Sequence, residues 1–533
     1  MSRDWLRLGS RRQVPGISPQ ISQKDGMDHS DKHRFEIIVI GAGFSGIGMG
    51  IKLLKAGFSD FLIVDEADDV GGTWHWNTYP GIAVDIPSYS YQFSFEKRSS
   101  WSRTYAHGNE LKDYARHCAH KYGLSPRIRF AVKVTEAWFD EDATLWRLHT
   151  AAGQDLSARF VINASGVLTR PKRPDISGVD DFGGITMHTS RWDHNEDIAG
   201  KRVAVIGTGA SAVQLIPAIA KDVKALTVFQ RTPIWCLPKL DFPVPRLARG
   251  FLKYAPGGQL AARAASQTFV EVTFPVAAHF HTAIPLASLI ERAALRYMRS
   301  QVTDPAVRQK LTPRYALGCK RPSFHNEYLA TFNRDNVHLE TSPISHFDAA
   351  AVHTVDGRSH EIDVLILATG FKVMEPENMP TYSLRGIGGL DQAKWWDENR
   401  LQAYEGVSVP GFPNHFSIFG PYGYNGSSYF TLIEAQTRHI VRCLHHARSR
   451  HANYVEITRQ ANDRFFAEML KRRHRQVFWQ PSCATANSYY FDKHGDVPLR
   501  PTTTLESFWR SRTFDLGDYS FERRTTEKVL SSS

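Results

Sequence analysis

The six residues Gly41-Ala42-Gly43-Phe44-Ser45-Gly46 form a G-x-G-x-x-G turn between the apolar run Ile37–Ile40 and a stretch with helical apolar spacing. The chemistry that needs this pattern is the holding of a pyrophosphate. The first glycine permits the tight turn, the second lets the backbone approach the phosphates, and the third lets helix pack on strand. The helix N-terminus then presents free N–H groups to the anion. A further apolar run, FLIV, leads to Asp65, 19 residues after Gly46, where a carboxylate can accept from a ribose hydroxyl. Gly41, Gly43, Ser45, Gly46 and Asp65 are therefore expected to bind a dinucleotide.

The pattern recurs 166 residues later in KRVAVIGTGASAVQLIPAIA, with Gly207, Gly209 and Ala212 as G-x-G-x-x-A and Ala210 and Ser211 between them. The strand that follows ends on Gln230 and Arg231 instead of an acid. A carboxylate there would repel a 2′-phosphate, whereas a guanidinium pairs with it, so NADPH is expected in place of NADH. Two such sites, the first with an acidic ribose contact, describe FAD reduced by a nicotinamide. A dithiol reductase would carry a cysteine pair close behind the first turn. The chain instead runs GGTWHWNTYPGIAVDIPSYSYQFSF, aromatic and with the single acid Asp85, so the expected electron acceptor is O2 or a small organic molecule.

These residues must be positioned by strand–turn–helix units, which makes the expected fold α/β, with two Rossmann-like dinucleotide-binding domains. The 533 residues exceed one ordinary core, and 42% hydrophobic and 12% aromatic content is that of a folded chain. No apolar run reaches the roughly 18 residues of a membrane span, and the first 34 residues lack a signal-peptide core, so a cytoplasmic protein is expected. The five cysteines, Cys118, Cys236, Cys319, Cys443 and Cys483, are scattered and read as ordinary thiols, with neither a disulfide framework nor a metal site. The net charge of +11 does not by itself choose among nucleic acid, anionic lipid and a phosphorylated small molecule. The densest basic cluster, Lys471–Arg475, reads as a solvated helix face, and no nucleic-acid partner is expected.

Two segments narrow the reading. Gly71–Asp85 resembles the pattern [A/G]-G-x-W-x4-[F/Y]-P-[G/M]-x3-D of type I Baeyer–Villiger monooxygenases, FAD- and NADPH-dependent class B flavoproteins, through Gly71, Gly72, Trp74, Tyr79, Pro80, Gly81 and Asp85. DFGGITMHTSRWDH matches that family's F-x-G-x3-H-x3-W-[P/D] through Phe182, Gly184, His188, Trp192 and Asp193. EIDVLILATGF and VINASG resemble the family's interdomain turns, and the likeness runs from about Phe35 to about Pro501. It implies cofactor contacts at Gly72, Thr73, Trp74, Tyr79, Asp85 and Thr232. In LGCKRPSFHNEYLATFNRDNV it implies that Lys320 lies near the 2′-phosphate and Arg321 over the flavin. Asp85 would orient Arg321, though a purely structural ion pair stays open, and His188 would couple domain movements instead of moving protons.

The implied domain plan is a mobile tail at 1–34, a first FAD-domain part at 35–180, a linker at 181–194, an NADP domain at 195–370 with a helical insertion at about 245–310, and a return to the FAD domain at 371–533. The implied reaction uses NADPH and O2 to form a C4a-peroxyflavin that converts a ketone to an ester or lactone. An N- or S-oxygenating flavin monooxygenase acting on amines or sulfides is the alternative, and a redox protein that only leaks hydrogen peroxide is a third reading. The family segment usually reading S-W-Y here has Tyr489 after Ser488, which leaves the pocket shape open. In the insertion, VTFPVAAHFHTAIPLASLI reads as core packing, a substrate-channel lining or a weak membrane contact.

Overall fold

The computed structural model describes residues 33–283 and 286–525, so the expected N-terminal tail lies almost wholly outside the described residues. An eight-stranded mixed sheet opens the fold. It contains β1 (Arg34–Ile40), β2 (Phe61–Val64), β3 (Ile128–Arg129), β4 (Val134–Asp140), β5 (Leu145–Thr150) and β6 (Asp155–Asn163). Strands β6, β1, β2 and β3 run parallel, β4 and β5 form an antiparallel wing, and the later strands Ser383–Arg385 and His415–Ser417 join β4 and β6. The second sheet is wholly parallel. From one edge to the other it runs Val337–Glu340, β9 (Ala225–Phe229), β8 (Arg202–Ile206), Val364–Leu367 and β7 (Ile185–His188).

Both central strands follow from their sequences. Ile37, Ile38 and Val39 are fully buried, and Val203, Ala204 and Val205 are at most 1% exposed, as continuous apolar runs must be when helices cover both sheet faces. Each strand passes through its glycine turn into a helix, α1 (Phe44–Lys55) after β1 and, further on, Ala210–Ile219 after β8. Gly41 and Gly207 close these turns at φ +110° and +117°. A side chain on Gly41 would lie 2.5 Å from the Ala164 carbonyl oxygen, and one on Gly207 would lie 2.4 Å from that of Ala368. The turns therefore tolerate only glycine. They also abut the two crossovers where the chain changes sheets, which are stitched together by Lys172 N–H donating to Gly370 O at 2.8 Å and Lys372 N–H to Arg170 O at 3.1 Å.

The second sheet carries a helical excursion that includes Arg246–Tyr254, Gly258–Glu271, Leu286–Gln301 and Pro305–Leu311. Of its apolar middle, Phe274 and Ala277–His279 pack inward. Ala278 joins a buried cluster with Val477, Phe478 and Tyr490, and the His279 Nε2 bonds the Asn425 carbonyl at 2.7 Å. Core packing accounts for this part of the segment. No helix among the described residues is long and apolar enough to cross a membrane.

Candidate functional site

One cavity of about 1790 Å³ lies between the two sheets, larger than the few hundred to 1,000 Å³ of an ordinary single-ligand pocket. Both glycine turns open into it. Of the residues expected to bind cofactor or do chemistry, Gly41, Gly43, Ser45, Asp65, Gly72, Thr73, Trp74, Tyr79, Asp85, Gly207, Gly209, Ala210, Ser211, Arg231, Thr232, Lys320 and Arg321 line this space. Gly46 and Ala212 are buried behind it, where they let the two helices pack on their strands. The fingerprint residues Phe182, Gly184, His188, Trp192 and Asp193 do not line it.

At the first turn, Asp65 directly follows β2 and is 9% exposed. One carboxylate oxygen accepts from the Ala42 N–H of the turn, and the other accepts from Ala67 N–H at 2.8 Å. Burial raises its pKa, and the two backbone donors oppose that rise. Two backbone bonds leave a carboxylate with further acceptor sites, so the same group that locks the turn fits a ribose hydroxyl on its open side. The helix α2 (Thr73–Trp76) lies alongside, its Trp74 indole donating to the Tyr91 hydroxyl at 3.2 Å.

At the second turn, a side chain built on Gly209 would meet nothing within 4 Å, so the backbone there faces open cavity, as a pyrophosphate cradle requires. Nearby, burial and then the neighbouring Arg231 cation push the Lys320 amine down to about 8. A lysine amine disfavoured by a neighbouring guanidinium fits a doubly charged anion such as a 2′-phosphate. Asn487 donates to the Thr232 hydroxyl at 2.8 Å, tying the C-terminal segment to this end of the site.

Arg321 and Asp85 meet from 236 residues apart. The Arg321 Nε and Nη2 each lie 2.8 Å from Asp85 Oδ2, and Nη1 donates to the Tyr424 hydroxyl at 3.1 Å. Burial disfavours the guanidinium charge, but Asp85, Tyr424 and Tyr490 outweigh it and hold the group well above its ordinary range. With side chains 20% and 30% exposed, the pair stands at the cavity wall, a fixed cation facing the shared space. Gln214, which the sequence did not single out, supports it from the other sheet. Its amide oxygen accepts from the Tyr79 hydroxyl at 3.0 Å and its amide nitrogen donates to Ala83 O at 2.8 Å, pinning the loop that carries Asp85. Burial raises the Tyr79 phenol to about 12.

The stretch expected as a linker contains a strand, since β7 is an edge of the second sheet. Phe182 is core, 8% exposed, and Gly184 sits where a side chain would fall 2.5 Å from both the Phe182 ring and the Asp363 carbonyl. Asp193 closes an Asx turn by accepting from Asn195 N–H at 2.9 Å, and Trp192 packs on the core of the second sheet. His188 takes the Ser190 N–H on Nδ1 at 3.1 Å. Burial and then Arg191 push its pKa down to about 4, so the ring is neutral near pH 7. Beyond it the chain reaches the other body, with Arg191 stacked 4.0 Å from the Trp76 ring centre and His194 bonded to the Thr78 hydroxyl at 2.9 Å.

One expectation fails. Cys319 and Cys483 form a disulfide, while Cys118, Cys236 and Cys443 are free and buried. The two partners lie 164 residues apart, so linear spacing gave no sign of the pair, and the fold brings both into one cluster with Trp235, Tyr315 and Leu317. The bridge joins the residue before Lys320 to the loop bearing Ser488 and Tyr489, which line the cavity. Tyr489 is 42% exposed, its ring 4.7 Å from the buried Tyr490.

Two nucleotide-type turns facing one cavity, with an arginine–carboxylate pair on its wall, define an oxidoreductase that works with two dinucleotides. A family model described as pyridine nucleotide-disulphide oxidoreductase matches residues 38–242. The chain is 33% identical over 506 residues to a Baeyer–Villiger monooxygenase of Streptomyces coelicolor, covering 94% of this chain and 96% of that one. It is 35% identical over 492 residues to a Baeyer–Villiger monooxygenase of Pseudomonas aeruginosa, covering 91% of each. The crystal structure of cyclohexanone monooxygenase from Rhodococcus sp. Phi1 bound to NADP+ matches with a TM-score of 0.82 at 28% identity, over 92% of this chain and 99% of that one. The chain belongs to the Baeyer–Villiger monooxygenase family.

Proposed function

We propose that this protein is a cytoplasmic NADPH-dependent, FAD-containing monooxygenase that inserts one oxygen atom of O2 beside a ketone carbonyl, giving an ester or lactone. The observation that carries this reading is the Arg321–Asp85 pair on the wall of the cavity into which both glycine turns open. FAD, when bound, takes hydride from NADPH and supplies the O2 chemistry. Gly41, Gly43 and Ser45 with the α1 N-terminus would hold the FAD pyrophosphate and Asp65 its ribose, with Gly72, Thr73, Trp74 and Tyr79 lining the same end of the cavity. Gly207, Gly209, Ala210 and Ser211 hold the NADPH pyrophosphate, Thr232 lies beside it, and Arg231 and Lys320 take the 2′-phosphate.

Arg321 stabilises the negative charge that builds on oxygen as the ketone carbonyl is attacked, and Asp85 and Tyr424 keep its fork aimed. The aromatic walls formed by Tyr91, Tyr424 and Tyr429 keep water out. His188, neutral, serves as a hinge contact between the two bodies and donates no proton. The test is product analysis of the holoprotein with NADPH and a panel of cyclic, linear and aryl ketones, sulfides and amines. Ester or lactone formation supports the reading. Products confined to sulfoxide or N-oxide would replace it with heteroatom oxygenation, and NADPH loss giving only hydrogen peroxide would remove it.

A further inference from the structure

The stretch from Phe242 to Val270 contains four cations, Arg246, Arg249, Lys253 and Arg263, and not one Asp or Glu. Extended by Glu271, whose carboxylate is turned inward to accept from Thr504 N–H at 2.7 Å, it folds as a helical hairpin of Arg246–Tyr254 and Gly258–Glu271. The first helix buries none of its nine residues, and the second buries only Val270. Leu247, Phe251 and Tyr254 are 90%, 67% and 77% exposed and recur at i, i+4 and i+7, which makes them one stripe along the first helix. Leu260 on the second helix is 63% exposed, and Leu240 and Phe242 at the hairpin's base are 55% and 59% exposed. Soluble helices turn such a stripe toward a core, whereas this one faces outward.

The hairpin is fastened to the body by its other side. Arg263 donates to Gln92 O at 2.6 Å and Gln267 to the Ser427 hydroxyl at 3.0 Å, so the apolar stripe is a fixed feature of the surface. Arg246 and Lys253 are exposed beside the stripe, with Arg249 half-buried next to them on the same helix. An exposed apolar stripe ending in aromatics and edged by cations is the pattern of a helix lying in a membrane interface. Its apolar side chains sink about 5–10 Å, and its cations meet headgroup phosphates.

We propose that this hairpin docks the protein on an anionic bilayer surface. A second copy fits less well, because a two-fold contact through the same stripe would bring Arg246 and Lys253 of one copy against those of the other. The occupant is therefore the negatively charged lipid surface, which the hairpin complements in both charge and apolarity.

Co-sedimentation of the full-length holoprotein with vesicles of phosphatidylcholine alone, or with about a third phosphatidylserine, tests this without any turnover. Binding to the anionic vesicles, weakened at 1 M KCl where the screening length falls to about 3 Å, is expected. Leu247→Asp with Phe251→Asp should lower partitioning by roughly tenfold or more while flavin content and melting stay unchanged, since both side chains are exposed. Arg246→Gln and Lys253→Gln should each lower it about fivefold. The proposal falls if neither vesicle binds, if neutral vesicles bind as well as anionic ones, if the double aspartate variant binds undiminished, or if light scattering finds a dimer that this variant dissolves.

Discussion

Raising the pH from 7 to 9 should weaken NADPH selectively, through Lys320. Its amine is held down to about 8, by burial first and by Arg231 second, against an ordinary value of 10.5. A lysine with a lowered pKa is charged below that value and loses its proton as the pH rises through it. About nine in ten Lys320 side chains are then charged at pH 7 and about one in ten at pH 9. If the neutral amine contributes nothing to the 2′-phosphate, KM for NADPH rises by about tenfold across that interval, whereas KM for NADH, which lacks the phosphate, stays nearly flat. Arg231→Ala sharpens the test in two ways. Losing a charge-assisted pair worth roughly 1.5–3 kcal/mol raises KM for NADPH by on the order of 10- to 100-fold at pH 7. Removing the neighbouring cation also lets the Lys320 pKa climb, so the pH inflection moves upward. Steady-state oxidation of both nucleotides at five or six pH values, in wild type and variant, reads all of this. A flat NADPH profile, or an Arg231→Ala effect equal for both nucleotides, would refute the assignment of these two cations to the 2′-phosphate.

Arg321→Ala should leave flavin content unchanged and abolish ester formation, with NADPH oxidation diverted to hydrogen peroxide, as measured by product per NADPH consumed. Gly184→Ala should cost about 1–3 kcal/mol of stability in a denaturant titration, because the new methyl must share space with the Phe182 ring and the Asp363 carbonyl, each 2.5 Å from its position. Thiol titration of the unfolded protein should count three free cysteines before reduction and five after, in keeping with one bridge between Cys319 and Cys483. A count of five in both would remove the bridge.

What the sequence disclosed was mostly local. Gly41 and Gly207 were readable because a tight turn between strand and helix constrains a few consecutive residues, and the buried runs at Ile37–Ile40 and Val203–Ile206 announced their strands by apolarity alone. The meeting of Arg321 with Asp85 depends on chain folding across 236 residues, so only resemblance to a family suggested it. Gln214 is a polar residue in a mostly apolar helix, and nothing in its local sequence marks it. Its role appears only when the loop from Tyr79 to Ala83 is laid against it. The Cys319–Cys483 pair was hidden by 164 intervening residues for the same reason. Within the helical excursion, the apolar middle that includes Phe274 stood out, whereas Leu247 did not. Composition does not reveal that Phe274 packs inward against Tyr490 while Leu247 is left in solvent.

The claim on which the functional account rests is that electrons from the nicotinamide site leave through oxygen transfer at the Arg321–Asp85 wall of the shared cavity. The most direct measurement is the mass of product formed from an aryl or cyclic ketone under 18O2 with NADPH. The account predicts an ester or lactone carrying one labelled oxygen atom, with close to one product per NADPH oxidised. Ketone recovered unchanged while NADPH is consumed, or an ester without the label, would contradict it.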